Sequence, residues 1–329
     1  MVTNSKFGNE KVSTSYNHGK SATNSLCQFR DLIQIFVYYV KTRTPPVYCY
    51  PIATILSFLL ISKTHVLDNA FGAFGVSIAS YCLALATYIY NDITDIDVDQ
   101  INRKEQSTMT RNQSKNKLII LVITLFGFAV AISFVISPLA FLISLMFIIL
   151  GILYSHPKFS LKSKFPLKTV VTAAGAGLLS MLGGVSAIGN CVAHDTSIST
   201  AILPLSTLYM AVSFSIFYFI QSPLGDFADI KGDKAAGRNT FPLVLGMGKT
   251  LAVMASVPFI ILTMNGLFFS LMHISIYGTA AIVSTSLLVV GFIGWMSNRL
   301  HDPLLVKSKR NNVRYLNILM QVSVLIALI

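Results

Sequence analysis

Two short stretches of the sequence concentrate carboxylates whose spacing suits chemistry. Each contains three aspartates spaced i, i+3, i+7, and equivalent aspartates are 134 residues apart. They are Asp92, Asp95 and Asp99 in the first stretch and Asp226, Asp229 and Asp233 in the second. On a helix this spacing aligns three side chains along one stripe. The matching spacing predicts an internal repeat that presents two acidic stripes.

Paired acidic stripes predict a metal site. Six carboxylates repel one another unless cations lie between them, and carboxylate oxygens suit Mg²⁺, which commonly binds one or two of them together with substrate phosphates. We therefore predict that all six aspartates form a Mg²⁺–diphosphate clamp, in which the metal neutralises a diphosphate leaving group. The alternative, solvated helix ends or salt-bridged loops, explains one stripe better than two stripes in register. For Asp97, which lies off the stripe, solvation is a sufficient explanation.

Basic residues that could contact a diphosphate lie close to both stretches. They are Arg103 and Lys104 after the first stretch, Lys234 and Arg238 after the second, and Lys158, Lys162 and Lys164 in the loop 155–168. Taken singly, such a residue more often sets membrane topology than binds a ligand.

The composition indicates that these side chains are positioned by membrane-spanning helices. Of 329 residues, 53% are hydrophobic and only 12% are charged, with a mean hydropathy of +0.67. A soluble domain has about 25% charged residues. This excludes an ordinary soluble protein. Nine apolar segments approach the length of about 17–25 residues that a span needs. They are 47–61, 70–93, 118–137, 139–154, 169–189, 200–223, 250–270, 276–298 and 313–329.

The N-terminal part of the chain has a different character. Residues 1–28 are polar and contain no apolar stretch typical of a secretory signal. We predict a disordered tail over 1–28, followed by one membrane domain over 29–329. The segment 31–40 is too short to span and is predicted as an interfacial helix.

The basic residues are distributed asymmetrically between the loops. With nine spans and the N-terminus inside, 24 of the 25 Lys and Arg residues lie on the inner side, and only Lys63 lies outside. This distribution predicts a multi-pass cell-membrane protein with a cytoplasmic N-terminus and an outer C-terminus. It also explains the net charge of +12 without a nucleic-acid partner. Four spans separate equivalent aspartates, so both stripes open at the cytoplasmic face. The predicted fold is an all-α membrane protein with two parallel four-helix repeats plus a final helix.

The motifs together resemble those of the UbiA superfamily of intramembrane prenyltransferases. The family motif NDxxDxxxD is matched by Asn91 and the first stripe, and DxxDxxGD followed by KxxGxxTxPVxLG is closely matched by DFADIKGDKAAGRNTFPLVLG over 226–246. The family element YxxxK is matched by Tyr154 and Lys158, and its wider form YSxPxxxLK extends to Lys162. The resemblance covers residues 30–329. It departs at residues 102–111. The family has the pattern NRPxRPxxxG there, whereas this sequence reads NRKEQSTMTR and lacks both prolines, the second arginine and the glycine.

The resemblance implies an activity and roles for individual residues. Mg²⁺ held by both stripes would bind an isoprenyl diphosphate, such as geranylgeranyl diphosphate, in the bilayer. Lys158, with Lys162 or Arg103, and the Tyr154 hydroxyl would hold the diphosphate, and Asn91 would hydrogen-bond near the reacting centre. Ionisation would give an allylic cation, which an aromatic or lipid acceptor attacks with release of diphosphate.

Two other functions stay open from the sequence. A terpene cyclase on the same scaffold would need the same clamp but no acceptor. A divalent cation transporter would place its acidic residues near the bilayer midplane, at the interface between repeats. The acceptor is also open, with an aromatic quinone precursor, a lipid glyceryl phosphate and a tetrapyrrole as candidates.

Overall fold

The computed structural model describes residues 13–62, 70–102, 113–192, 204–300, 302, 305 and 308–329. Regular structure within these residues is entirely helical, and the side chains of the first helix are described from Arg30 onward. The helices are α1 (Ser13–Val47), α2 (Cys49–Ser62), α3 (Ala70–Thr94), α4 (Ile96–Ile101), α5 (Lys115–Ile136), α6 (Pro138–Ser155), α7 (Leu167–Val192), α8 (Leu205–Asp226), α9 (Ile230–Ala235), α10 (Phe241–Leu245), α11 (Met247–Phe268), α12 (Ile276–Ser297) and α13 (Arg310–Leu328).

The helices define a multi-pass membrane protein. Within the described residues, seven helices are long and apolar enough to span a bilayer, namely α3, α5, α6, α7, α8, α11 and α12. The count becomes eight if Arg30–Val47 and α2, which meet at a bend of 59°, form one span. The predicted number of nine is therefore not matched. The sequence counts the 14-residue α2 as a span by itself, and it counts α13, whose inner face carries the buried polar residues Asn317 and Gln321. The arrangement in two parallel repeats stays a prediction.

The helix α1 covers two segments that the sequence predicts separately. It begins at Ser13, within the predicted disordered tail, and it includes the predicted interfacial segment 31–40. Extending a helix costs less free energy than nucleating one, and the apolar 31–40 segment supplies the nucleus. Pro45 and Pro46 occupy the last turn of α1, immediately before the bend to α2. Proline removes a backbone donor and disrupts helix continuation, so the bend falls there.

Small residues on α7 allow close contacts with two neighbouring helices. A Cβ atom added to Gly183 would lie 1.9 Å from the Thr54 carbonyl oxygen on α2. Thr54 Oγ1 in turn donates to the Leu179 carbonyl oxygen at 2.8 Å. A Cβ atom added to Gly184 would lie 2.3 Å from Thr207 Cγ2 on α8. In a bilayer, such close backbone approach is a main source of helix association.

Two short helices close one end of the bundle. The helices α4 and α9 follow α3 and α8 and pack against each other. The Gly232 amide on α9 donates to Asn102 Oδ1, at the end of α4, at 2.8 Å. A Cβ atom at residue 232 would lie 2.4 Å from Asn102 Nδ2, so only glycine fits here without displacing that side chain. This contact brings the two acidic stretches together.

Candidate active site

One cavity of about 360 Å³ collects both acidic stripes. All six predicted aspartates line its wall. Five of them are at most 5% exposed, namely Asp92, Asp95, Asp99, Asp226 and Asp233. Asp229 is partly exposed, while Asp97 is exposed and is not among the lining residues. The structure therefore separates Asp97 from the six residues of the stripes.

Each stripe crosses a break between a long helix and a short one. In the first stripe, Asp92 lies in the last turn of α3, Asp95 lies between the helices, and Asp99 lies in α4. The Asp99 amide donates to the Asp95 carbonyl oxygen at 2.8 Å. In the second stripe, Asp233 N donates to Asp229 O in the same way at 2.9 Å. Helical i to i+4 bonding thus resumes directly after the break in both stripes, and the three side chains of each stripe line the same cavity.

Among the described residues, three basic side chains contact the first stripe. Arg43 from α1 donates from Nε to Asp92 Oδ2 at 3.0 Å and forms a second bond from Nη2 to Oδ1. Lys162 Nζ lies 2.7 Å from Asp95 Oδ1, and Arg238 contacts the same carboxylate. Lys162 also donates to Asn91 Oδ1 at 3.0 Å. The first stripe is therefore held by cations from three separate parts of the chain.

The second stripe is held by cations that also reach across the cavity. Lys168 Nζ, from the first turn of α7, lies 2.6 Å from Asp226 Oδ1 and 3.7 Å from Asp233 Oδ2. Arg238 Nη1 lies 3.3 Å from Asp233 Oδ1, while its Nη2 contacts Asp95 of the first stripe. One guanidinium therefore joins the two stripes.

Burial and mutual charge set the protonation of the groups between the helices. Burial raises the pKa of Asp95, but the positive charges of Lys162 and Arg238 outweigh this effect and hold that pKa below its ordinary value. Burial lowers the pKa of Lys162, and the Asp95 carboxylate offsets only part of this shift. For Arg238, burial acts to lower the pKa, yet Asp95 and Asp233 raise it overall. Asp95 and Arg238 are therefore an ionised pair.

The predicted site residues are mostly brought together. Asn91, Tyr154 and Lys162 line the cavity with the six aspartates. Lys158 does not, because it is exposed on the loop that follows α6. Arg103 lies outside the described residues. The diphosphate-binding assignment of Lys158 is therefore not supported by its position.

Two basic residues of the cavity were not selected by motif. In the sequence, Lys168 is one of several lysines in the segment 155–168 that could simply set membrane topology. Only the structure shows that it lies in the first turn of α7 and lines the cavity. Arg43 comes from α1, 49 residues before its partner Asp92, so no local pattern links the two. The available signal in the sequence was the position of Arg43 between the apolar segments 31–40 and 47–61.

The carboxylates suit a divalent cation that also coordinates a phosphate group. Asp226 Oδ2 and Asp233 Oδ2 are buried and accept no hydrogen bond from the described residues. No three carboxylates, imidazoles or thiols among the described residues lie close enough to hold a metal by themselves. Mg²⁺ needs fewer, since it commonly takes one or two carboxylates and completes its shell with water and phosphate oxygens. The acidic pair thus suits Mg²⁺ with a phosphate ligand.

Another part of the cavity lining is apolar and aromatic. It includes Tyr50, Tyr88, Phe147, Leu150, Gly151, Val171, Gly175, Ala176 and Tyr218. The rings of Tyr50 and Tyr218 stack with centroids 5.4 Å apart. Such faces can shelter a carbocation, and the aliphatic part can hold a hydrocarbon chain. The cavity therefore joins an anion-binding end to a hydrocarbon-binding end.

Comparison with known proteins identifies the family. The sequence profile of the UbiA prenyltransferase family matches residues 51–318, which is most of the chain. The chain therefore belongs to the UbiA prenyltransferase family, as its motifs predict.

Curated relatives from archaea match part of the chain. Digeranylgeranylglyceryl phosphate synthase from Thermococcus sibiricus is 30% identical over 159 residues, covering 48% of this chain and 51% of that protein. The enzyme of the same name from Sulfolobus acidocaldarius is 29% identical over 170 residues, covering 51% and 55%. The chain thus spans about half the length of these relatives in the matched region.

Solved structures share the fold over a longer stretch. A UbiA homologue from Archaeoglobus fulgidus, solved with DMAPP and Mg²⁺, has a TM-score of 0.60 at 20% identity, covering 88% of this chain and 99% of that one. A structure described as digeranylgeranylglyceryl phosphate synthase has a TM-score of 0.63 at 17% identity, covering 88% and 96%. At these identities the likeness shows the fold.

Proposed function

We propose that this protein is a Mg²⁺-dependent intramembrane prenyltransferase that acts on an isoprenyl diphosphate. The observation that carries this proposal is one cavity whose described lining combines six aspartates and four basic side chains with apolar and aromatic residues. The charged end suits a metal–diphosphate and the other end suits a hydrocarbon chain. The family membership and the DMAPP and Mg²⁺ bound to the Archaeoglobus fulgidus homologue support the same assignment.

The acidic stripes would hold the metal, and the chain's own residues would then position the donor. Bound Mg²⁺ supplies charge neutralisation to the departing diphosphate. Lys162 and Lys168 offer ammonium groups to diphosphate oxygens, and Tyr154 lines the same cavity. Asn91 lines the cavity and accepts a hydrogen bond from Lys162 Nζ at 3.0 Å, and we assign it a hydrogen-bonding role near the reacting centre. The rings of Tyr88 and Tyr218 exclude water from the developing cation and stabilise its charge.

The acceptor is proposed to be a lipid glyceryl phosphate. The curated relatives are named for a digeranylgeranylglyceryl phosphate product, which combines isoprenyl chains with a glyceryl phosphate. An acceptor of this class carries both a hydroxyl nucleophile and a hydrocarbon tail, and both suit a cavity with a polar and an apolar end. An aromatic acceptor is the competing candidate.

Reconstitution of the purified chain in lipid vesicles tests the proposal. Labelled geranylgeranyl diphosphate and Mg²⁺ would be supplied with geranylgeranylglyceryl phosphate, with an aromatic carboxylic acid, or with no acceptor, and products would be identified by mass spectrometry. We expect a prenylated glyceryl phosphate and free diphosphate, both abolished by EDTA. Product from the aromatic arm alone would reassign the acceptor. A cyclised hydrocarbon formed without acceptor would instead establish a terpene cyclase.

A further inference from the structure

One ammonium group occupies the position where a metal is expected on the second stripe. Lys168 Nζ is shared between Asp226 Oδ1 at 2.6 Å and Asp233 Oδ2 at 3.7 Å. These carboxylates are seven positions apart and at most 4% exposed, and the lysine side chain is 14% exposed. The second oxygen of Asp226 is buried and accepts no hydrogen bond from the part of the chain that the structure describes. Even with Lys168 and Arg238 in place, the stripe therefore keeps carboxylate oxygens that a divalent cation can use.

The charges that line the cavity point the same way. Six carboxylates and four basic side chains of the described residues line it, which leaves two negative charges when all are ionised. One divalent cation balances that difference. A metal bound to Asp226 and Asp233 would compete with Lys168 for the same oxygens. The displaced ammonium is buried and needs a new anion, because an unpaired buried charge is strongly unfavourable. A diphosphate supplies that anion.

Building on the prenyltransferase function, we propose that Lys168 is an exchangeable occupant of the metal position. In the ligand-free protein it holds Asp226 and Asp233 together. When a divalent cation binds these carboxylates, Lys168 turns to the diphosphate that arrives with the metal. The same side chain thus opposes binding of the metal alone and favours binding of the metal with diphosphate.

The exchange makes metal and diphosphate binding cooperative. If the metal binds first, it frees Lys168 for the diphosphate; if the diphosphate binds first, it draws Lys168 away from the carboxylates that bind the metal. In both orders the second ligand binds more tightly. Thermodynamic linkage requires that each ligand raises the affinity for the other by the same factor. Couplings between sites typically amount to about 5- to 150-fold. The donor complex, and not free metal, is then the species that fills the cavity.

Metal binding by the detergent-solubilised full chain tests this inference directly. Mn²⁺ would be titrated by electron paramagnetic resonance at buffered free concentration, with and without inorganic pyrophosphate. In the wild type we expect pyrophosphate to tighten Mn²⁺ binding by about 5- to 150-fold. In Lys168→Met, Mn²⁺ alone should bind more tightly than in the wild type, and the pyrophosphate effect should fall by most of that factor.

A matched control and the contrary outcomes complete the test. Lys164→Met removes an exposed lysine of the same loop and should leave both affinities unchanged. A parallel loss of Mn²⁺ and pyrophosphate affinity in Lys168→Met would overturn the inference, as would a wild type without coupling. If Lys168→Met does not purify as a folded protein, Lys168→Gln answers the same question with the same two outcomes. These titrations measure binding and do not depend on catalysis. The prenyltransferase proposal is tested separately, by consumption of the isoprenyl diphosphate donor.

Discussion

At the scale of residues, the site is a set of opposed charges held out of water. Each carboxylate stripe would be unstable alone in such a poorly hydrated place, and the chain supplies its own cations from α1, α7 and the loops around them. Breaking one partner of a buried ion pair typically costs about 3–5 kcal/mol. Single substitutions in this network can therefore act on stability as well as on catalysis, and tests need variants that keep side-chain volume.

The first residue-scale prediction concerns Asp92. Asp92→Asn keeps the shape of the side chain but removes the charge that faces both the metal position and Arg43. We expect turnover to fall by about a hundredfold or more, because an electrostatic element of the site is lost. Steady-state kinetics in vesicles measure this loss. Asp97→Asn serves as the control, since Asp97 is exposed and outside the cavity. Equal activity of the two variants would contradict the clamp.

At the scale of elements, the helices α6, α7 and α8 shape the hydrocarbon end of the site. A second, apolar cavity of about 310 Å³ lies among these helices, and Leu150 of α6 lines both cavities. Its wall includes Met146, Ala174, Gly177 and Leu178. The small residues of α7 allow the helices to approach closely and also leave this space open. We expect the Leu150 side chain to determine how far a donor chain extends.

The Leu150 prediction is tested with donors of different length. Leu150→Trp should lower kcat/KM for geranylgeranyl diphosphate by about tenfold or more, because the larger side chain would block the path of the long hydrocarbon tail. The kcat/KM for dimethylallyl diphosphate, whose chain is too short to reach this position, should change only a few-fold. Leu142→Trp is the control, since Leu142 lies on the same helix and is 51% exposed. A similar loss with both donors would show that the tail does not pass Leu150.

A second element-scale prediction concerns the contact between α7 and α2. Gly183→Ala would place a Cβ atom 1.9 Å from the Thr54 carbonyl oxygen, so the helices must separate. Overpacking of this kind costs about 1–3 kcal/mol. Gly127→Ala on α5 is the matched control, because nothing lies within 4 Å of its added Cβ atom. Thermal unfolding in detergent should show a lower Tm for Gly183→Ala only. An unchanged Tm for both would contradict the packing described for α7.

At the scale of the whole molecule, the asymmetric basic residues define an orientation that can be measured. We propose that the N-terminus and the site face the cytoplasm and that the C-terminus lies outside. In a variant without native cysteines, Ile329→Cys should react with a membrane-impermeant maleimide added to intact cells, since Ile329 is 72% exposed. Ser308→Cys, also exposed, should react only after lysis. The reverse labelling pattern would invert the topology.

The sequence by itself determined the helical membrane class, the family and the residues of the acidic stripes. These features depend on local spacing and hydropathy, which are visible along the chain, and on two motifs that match over 134 residues of separation. The number of spans was less well determined. Hydropathy does not distinguish the bent pair of α1 and α2 from two spans, and buried polar residues make α13 a weak candidate.

Only the tertiary structure decided which cations serve the site. The sequence motif selects Lys158 and Lys162 and does not select Lys168. The structure exposes Lys158 instead, and it places the ammonium groups of Lys162 and Lys168 against the stripes. Arg43 reaches Asp92 only because α1 packs on α3. The physical reason is that a carboxylate stripe follows from helix periodicity, whereas the pairing of charges across a cavity depends on how separate helices pack in three dimensions.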